Sequence, residues 1–278
     1  MALLKTFDLT VRYGGLAANA DVNLEVPEGK LVGLIGPNGA GKTTFIDAIT
    51  GFTGISSGRV EFDGKDLDGL TPDRRAHSGL SRTFQSLELF EDLTVRENLL
   101  AAAERPTWWS FILDLLRPPK TSAANEARVT EALGVLGLDG IADRLPMDLS
   151  HGQRKLVGVA RALAAKPKLL LLDEPAAGLD TTESQLLGQH LRNFLETGTT
   201  IFLIDHDMGL VLNVCDYIYV LDFGKIIAEG TPAEIRKDPA VVTAYLGQSA
   251  GEMQAKAGEA LAARVSGATD DSEGDHHG

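Results

Sequence analysis

The sequence predicts an α/β fold: a mostly parallel sheet with helices on its faces, an antiparallel β segment in front, and a helical insertion in the middle. Three observations point there. Short continuous apolar runs at 31–35, 169–172, 200–204 and 217–221 have the length of strands buried on both faces. Helical stretches separate the later runs, the alternation expected of a parallel sheet with crossover helices. From about Thr94 to Leu149 the pattern turns mostly helical and interrupts that order.

Taken in chain order, residues 3–11 and 22–26 carry clustered or alternating apolar residues around Gly14 and Gly15, and Pro27, Glu28 and Gly29 form a second turn signal. This is an antiparallel opening. Leu31–Ile35 is the first buried strand, followed by a glycine-rich turn, a helix from about Lys42 to Ile49, and a strand at 58–62. In the insertion, Val129, Leu133, Leu136 and Leu138 fall near helical spacing over Asn125–Leu138. From Leu169, strands at 169–172, 200–204, 217–221 and 225–228 alternate with helices. After about Ser249 the chain is rich in Ala, Gly, Ser and Asp and nearly free of large apolar residues. Residues 251–265 are expected to form a transient helix at most, and the rest of this acidic tail to be disordered. The expected division is one domain over 1–248, with a helical part at about 94–165, and a tail over 249–278.

A chain of 278 residues with 44% hydrophobic and 23% charged residues can bury a real core. The formal net charge of −13 gives a nucleic-acid partner no electrostatic support. Cys215 is the single cysteine, which fits a reducing compartment and reads as a small core residue. Met1–Lys5 lacks the basic and apolar pattern of a signal peptide, and no apolar run approaches the roughly 20 residues that span a bilayer. The expected place is the cytoplasm, with any membrane contact made through a partner.

Gly36, Pro37, Asn38, Gly39, Ala40, Gly41, Lys42 and Thr43 match G-x-x-x-x-G-K-[ST] between a buried strand and a helix. Glycines let successive N–H groups curl inward around phosphate oxygens. The following helix aims its positive end at the same anion. Lys42 supplies a charge to the β- and γ-phosphates of ATP, Thr43 offers a hydroxyl to Mg²⁺, and Thr44 belongs to the same site. About 130 residues later, Leu169–Leu172 ends in Asp173, Glu174 and Pro175. Carboxylates beside a buried strand need compensation, and Mg²⁺ would provide it. Asp173 is the metal partner, directly or through water, and Glu174 is placed to orient or deprotonate an attacking water. Together the two motifs predict a P-loop nucleoside triphosphatase core.

Leu149, Ser150, His151, Gly152 and Gln153 stand just ahead of a helix, about 20 residues before Asp173. Read alone, they are a serine N-cap and a chance Gly-Gln. A serine and a glycine at a helix N-terminus also present a hydroxyl, N–H groups and a dipole, which is a second anion surface. Placed between the two triphosphatase motifs, the segment resembles the L-S-G-G-Q signature of ABC ATPases. The resemblance, over residues 1 to about 247, implies a head-to-tail pair of ATPase domains in which Ser150, Gly152 and Gln153 serve the partner's ATP. Gln85 resembles the Q-loop glutamine that senses Mg²⁺ and couples to membrane subunits, and Asp180, in Leu179-Asp180, resembles the D-loop across the dimer interface. His206 resembles the switch histidine at the γ-phosphate, and Tyr13 the aromatic that stacks on adenine. His151 departs from the usual glycine. Branched-chain importer ATPases carry a bulky aromatic there, so it is expected to be neutral for catalysis.

Leu80–Gln85, Asp173–Leu179 and Asp205–Met208, with an insertion at about 104–124, are similar to ATPase subunits of branched-chain and hydrophobic amino-acid importers. That subgroup implies a second, different ATPase subunit, two membrane-spanning permease subunits and an external solute-binding protein. Urea or amide importers, exporters and lipid-transport ATPases share the motor residues and stay open. A non-transport ABC ATPase is disfavoured by the single domain, the lack of heptads and the acidic charge. The Trp108–Leu116 apolar segment either meets a membrane subunit or lipid, or packs on its own domain.

Overall fold

The computed structural model describes residues 1–83, 89–103 and 122–245. Its elements in order are β1 (Ala2–Tyr13), β2 (Leu16–Pro27), β3 (Leu31–Ile35), α1 (Lys42–Thr50), β4 (Ser57–Phe62) and β5 (Lys65–Asp66). Then come α2 (Pro72–His77), β6 (Leu80–Thr83), α3 (Val95–Ala103), α4 (Ala123–Val135), α5 (His151–Ala164) and β7 (Leu169–Asp173). The last are α6 (Thr181–Leu195), β8 (Thr200–Ile204), α7 (Met208–Val214), β9 (Tyr217–Asp222), β10 (Lys225–Gly230) and α8 (Pro232–Ile235).

Two sheets form among the described residues. The antiparallel one runs β2-β1-β4-β5, and the other runs β10-β9-β3-β8-β7-β6, parallel except for the β10 edge. The continuous apolar runs are explained by the two-residue period of a strand, which sends alternate side chains to opposite faces. Leu31 and Ile35 of β3, Leu170 and Leu172 of β7, and Ile201 and Leu203 of β8 join the core under the helices α3 to α7. Val32 and Leu34, Leu169 and Leu171, and Phe202 and Ile204 face the other way, onto α1 and the antiparallel sheet. The parallel sheet is therefore the middle layer of three. Cys215 is a buried core residue, in agreement with its sequence reading, and its thiol lies where Gly33 of β3 leaves room: a Cβ there would stand 2.9 Å from its Sγ.

Two of the differences from the sequence reading have a plain physical reason. The apolar spacing that suggests a helix through Leu138 outlasts the helix, which ends at Val135; Leu136 caps it and Gly137 turns the chain at a φ of 65°. Leu136 and Leu138 are buried all the same, so burial and not helicity keeps the pattern going. Strand β6 is not anticipated by the pattern, because Leu-Ser-Arg-Thr has one apolar residue and sits at the sheet edge. Gln85, the Trp108–Leu116 segment and the tail lie outside the described residues.

Candidate active site

Sheet register sets the site. Leu34 of β3 pairs with Ile204 of β8, and Ile204 pairs with Asp173 of β7. One row across three parallel strands thus leads, at the same edge, into the loop at Gly36, into Asp205 and His206, and into Glu174. Neighbouring strands are about 4.8 Å apart, so the outer two are separated by about 10 Å. The carboxyl edge of a parallel sheet is where ligands of open α/β folds bind.

Glycine is required twice in the first loop. A Cβ on Gly36 would lie 2.0 Å from the Leu221 carbonyl oxygen. Gly41 has a φ of 103°, and a Cβ there would lie 2.4 Å from the Ala18 carbonyl oxygen. The loop is braced from outside: Gly224 N–H donates to Ala40 O at 2.8 Å, and Asn19 Nδ2 donates to Gly41 O at 3.2 Å. Helix α1 begins without a capping side chain and without an acid in its first turn, so its N–H groups and dipole would meet an anion unopposed. Lys42 is 6% exposed, and its Nζ donates to Gly36 O at 2.7 Å and Pro37 O at 3.0 Å. Burial draws its pKa down, while Glu174, Asp173 and Asp205 act in the opposite sense. Thr43 is exposed and Thr44 half-buried at the start of the helix.

The acids occupy the other side. Asp173 is 6% exposed and accepts from Arg82 at 2.8 Å. Glu174 has a φ of 48°, the left-handed region that a side chain with a Cβ rarely adopts, and its N–H donates to Ile204 O at 2.7 Å. Such strain persists only where surrounding bonds impose it. Asp205 helps to impose it: fully buried, it accepts from Ala176 N–H at 3.1 Å and Asp207 N–H at 3.0 Å, fixing the turn after Glu174. His206 Nδ1 lies 3.8 Å from Glu174 Oε1 and 3.6 Å from Asp205 Oδ1, with half its side chain exposed.

The remaining candidates lie elsewhere. Ser150 caps α5, its Oγ accepting from Gln153 N–H at 3.2 Å while Gln153 Oε1 accepts from Ser150 N–H at 3.0 Å. This is a capping box, and it leaves the serine hydroxyl proton available to donate. Asp180 forms the same box with Glu183 at the start of α6. The two helix starts touch: a Cβ on Gly152 would meet Glu183 Oε1 at 2.5 Å, and one on Gly178 would meet His151 Nε2 at 3.3 Å. Lys155, one turn into α5, donates to the Ala177 carbonyl and so links the Ser150 helix to the loop after Glu174. Tyr13 sits at the tip of the β1–β2 hairpin, more than half exposed, its hydroxyl 3.4 Å from Thr53 Oγ1.

A strand, glycine loop and helix beside an acid-ended parallel strand define a P-loop nucleoside triphosphatase. The family model described as ABC transporter matches residues 20–177, and that of the branched-chain amino acid ATP-binding cassette transporter matches 225–251. The chain belongs to the ABC transporter family of ATP-binding proteins and is an ATPase. The high-affinity branched-chain amino acid transport ATP-binding protein BraF of Pseudomonas aeruginosa is 39% identical over 253 residues, covering 89% of this chain and 98% of the relative. LivG of Escherichia coli K12, described in the same words, is 40% identical over the same shares. Among solved structures, the ADP conformation of MJ1267, an ATP-binding cassette of an ABC transporter, superposes with a TM-score of 0.78 at 34% identity, covering 89% of this chain and 99% of that one.

Sequence reasoning misses Arg82, Asp47, Asp205 and Lys155. Asp205 is within its reach, since it ends the apolar run Ile201–Ile204 as Asp173 ends its own. The other three act from neighbouring elements, and no local pattern announces that.

Proposed function

We propose that the chain is the motor of an importer for branched-chain or other hydrophobic amino acids, working at the inner face of the cell membrane. The ATPase half of this reading is carried by the row Leu34–Ile204–Asp173, which gathers the phosphate loop, two acids and His206 at one sheet edge. The substrate half is supported by the branched-chain family match over 225–251 and by relatives that align over nearly their own full length. No helix among the described residues is long and apolar enough to cross a membrane.

The residues fit a Mg²⁺ nucleotide. Loop glycines admit the backbone where a Cβ would collide, and an uncapped helix start points at the same place. Mg²⁺ takes one or two protein ligands and fills the rest with phosphate oxygens and water. Thr43 and Asp173 suit that share, with Gln85 assigned by resemblance. When bound, Mg²⁺ neutralises charge on the phosphates.

Lys42 and the α1 N-terminus hold the β- and γ-phosphates. Glu174 accepts the proton of the attacking water at its carboxylate, and its constrained backbone keeps that carboxylate aimed. His206 donates to the γ-phosphate, and the exposed Tyr13 ring stacks on adenine. Ser150, Gly152 and Gln153 close on the ATP of a second ATPase subunit, a different and related chain, and Asp180 lies at that junction. Contact between the α5 and α6 starts supports this, since it joins the partner-facing surface to the loop after Glu174. Two permease subunits and an external solute-binding protein complete the importer.

The test is recovery of the tagged protein from its own membranes with identification of what accompanies it. A second, similar ATPase with two multi-span proteins is the expected result. One kind of membrane protein and no second ATPase would contradict the importer reading and favour export or lipid transport.

A further inference from the structure

Arg82 carries a charge into a place where the chemistry above gives it no part. It lies on the edge strand β6, in register with Leu171 of β7, and its side chain is 10% exposed. One guanidinium nitrogen is 2.8 Å from Asp173 Oδ2 and the other 2.5 Å from Asp47 Oδ1. The two acids belong to different elements. Asp173 ends β7, and Asp47 is on α1, four residues after Thr43 and therefore on the same face of that helix. A single planar cation thus ties the carboxylate assigned to the metal to the helix that bears the metal's hydroxyl ligand.

Two physical points make this more than a surface ion pair. Asp173 is almost completely buried, where an uncompensated carboxylate is costly. A guanidinium is also rigid: its fork fixes both the direction and the spacing of the two acids, which a lysine's point charge would not.

We propose that Arg82 is a positioning residue of the Mg²⁺ site, which orients the Asp173 carboxylate and, through Asp47, sets its distance from Thr43. The inference rests on the ATPase reading. Groups that orient metal ligands typically contribute about 10- to 100-fold to metal affinity or activity.

The experiment titrates a fluorescent ATP analogue into full-length protein, with Mg²⁺ varied and with EDTA. In wild type, Mg²⁺ tightens binding; its failure to do so would count against the ATPase reading itself, separately from Arg82. In R82A the Mg²⁺ concentration for half-maximal tightening should rise about 10- to 100-fold while affinity in EDTA is unchanged. R82K should recover part of the loss. D47A should shift the Mg²⁺ requirement in the same direction, and the double variant should be no worse than R82A, because Asp47 acts through Arg82. An R82A protein whose binding falls equally with and without Mg²⁺ would show a merely structural role and overturn the proposal. So would a lowered Mg²⁺ requirement, the mark of a competing cation. If R82A does not fold, R82K and D47A decide the matter in the same way.

Discussion

The proposed chemistry of the site concentrates in one residue, Glu174. Its left-handed backbone, the bond from its N–H to Ile204 and the Asp205–Ala176 brace together fix a carboxylate beside His206. Replacing it with glutamine keeps the shape and removes the proposed base. E174Q should bind ATP as wild type does and hydrolyse it about 100- to 10,000-fold more slowly, read by single-turnover kinetics beside a binding titration. Turnover near the wild-type rate would remove Glu174 from its role. Asp173, Glu174 and His206 are legible in the sequence because each follows an apolar run that can only be a buried strand. Arg82 and Lys155 are not, because their meaning depends on carboxylates and carbonyls brought in from distant parts of the chain. Ser150 is the intermediate case. It is an N-cap, as its local sequence says, and the phosphate role proposed for it rests on the same position.

Among strands and helices, order is held through bonds that no periodicity reveals. Asp216, at the start of β9, accepts from Leu31 N–H of β3 and from Arg192 of α6, each at 3.0 Å. Burial pushes its carboxyl pKa up, but the Leu31 amide and the Arg192 cation outweigh it, and the net shift is downward. A lowered carboxylate pKa contributes stability that is present above the unfolded value, about 3.9, and is lost as pH falls through the folded one. D216A should therefore cost about 2 kcal/mol at pH 7 in a denaturant titration. The difference from wild type should narrow below about pH 4. A gap that does not change with pH would mean packing, and not the charge, is responsible. The parallel strands can be read from sequence because burial on both faces forces an uninterrupted apolar run. β6 escapes because an edge strand is free to be polar, although it is the strand that carries Arg82 to the site.

Across the chain, the placement of the motifs argues for a partner. The phosphate loop, Asp173, Glu174 and His206 converge at one sheet edge, while Gly152, in the helix that Ser150 caps, packs against Glu183 at the start of α6. On the proposed reading the chain presents two anion surfaces, the second of them serving the nucleotide site of another subunit. The architecture of the motor is legible in three motifs and their order. The cargo is not, since the motor's residues meet nucleotide and not a transported solute, and the substrate reading rests on likeness to branched-chain systems.

The decisive measurement is uptake of labelled leucine, isoleucine and valine by the native host after the wild-type copy is replaced by E174Q. High-affinity uptake of these amino acids should fall to background while an unrelated ABC importer in the same cells is unaffected. Undiminished branched-chain uptake, with E174Q present and folded, would contradict the assignment of this chain as the importer's motor.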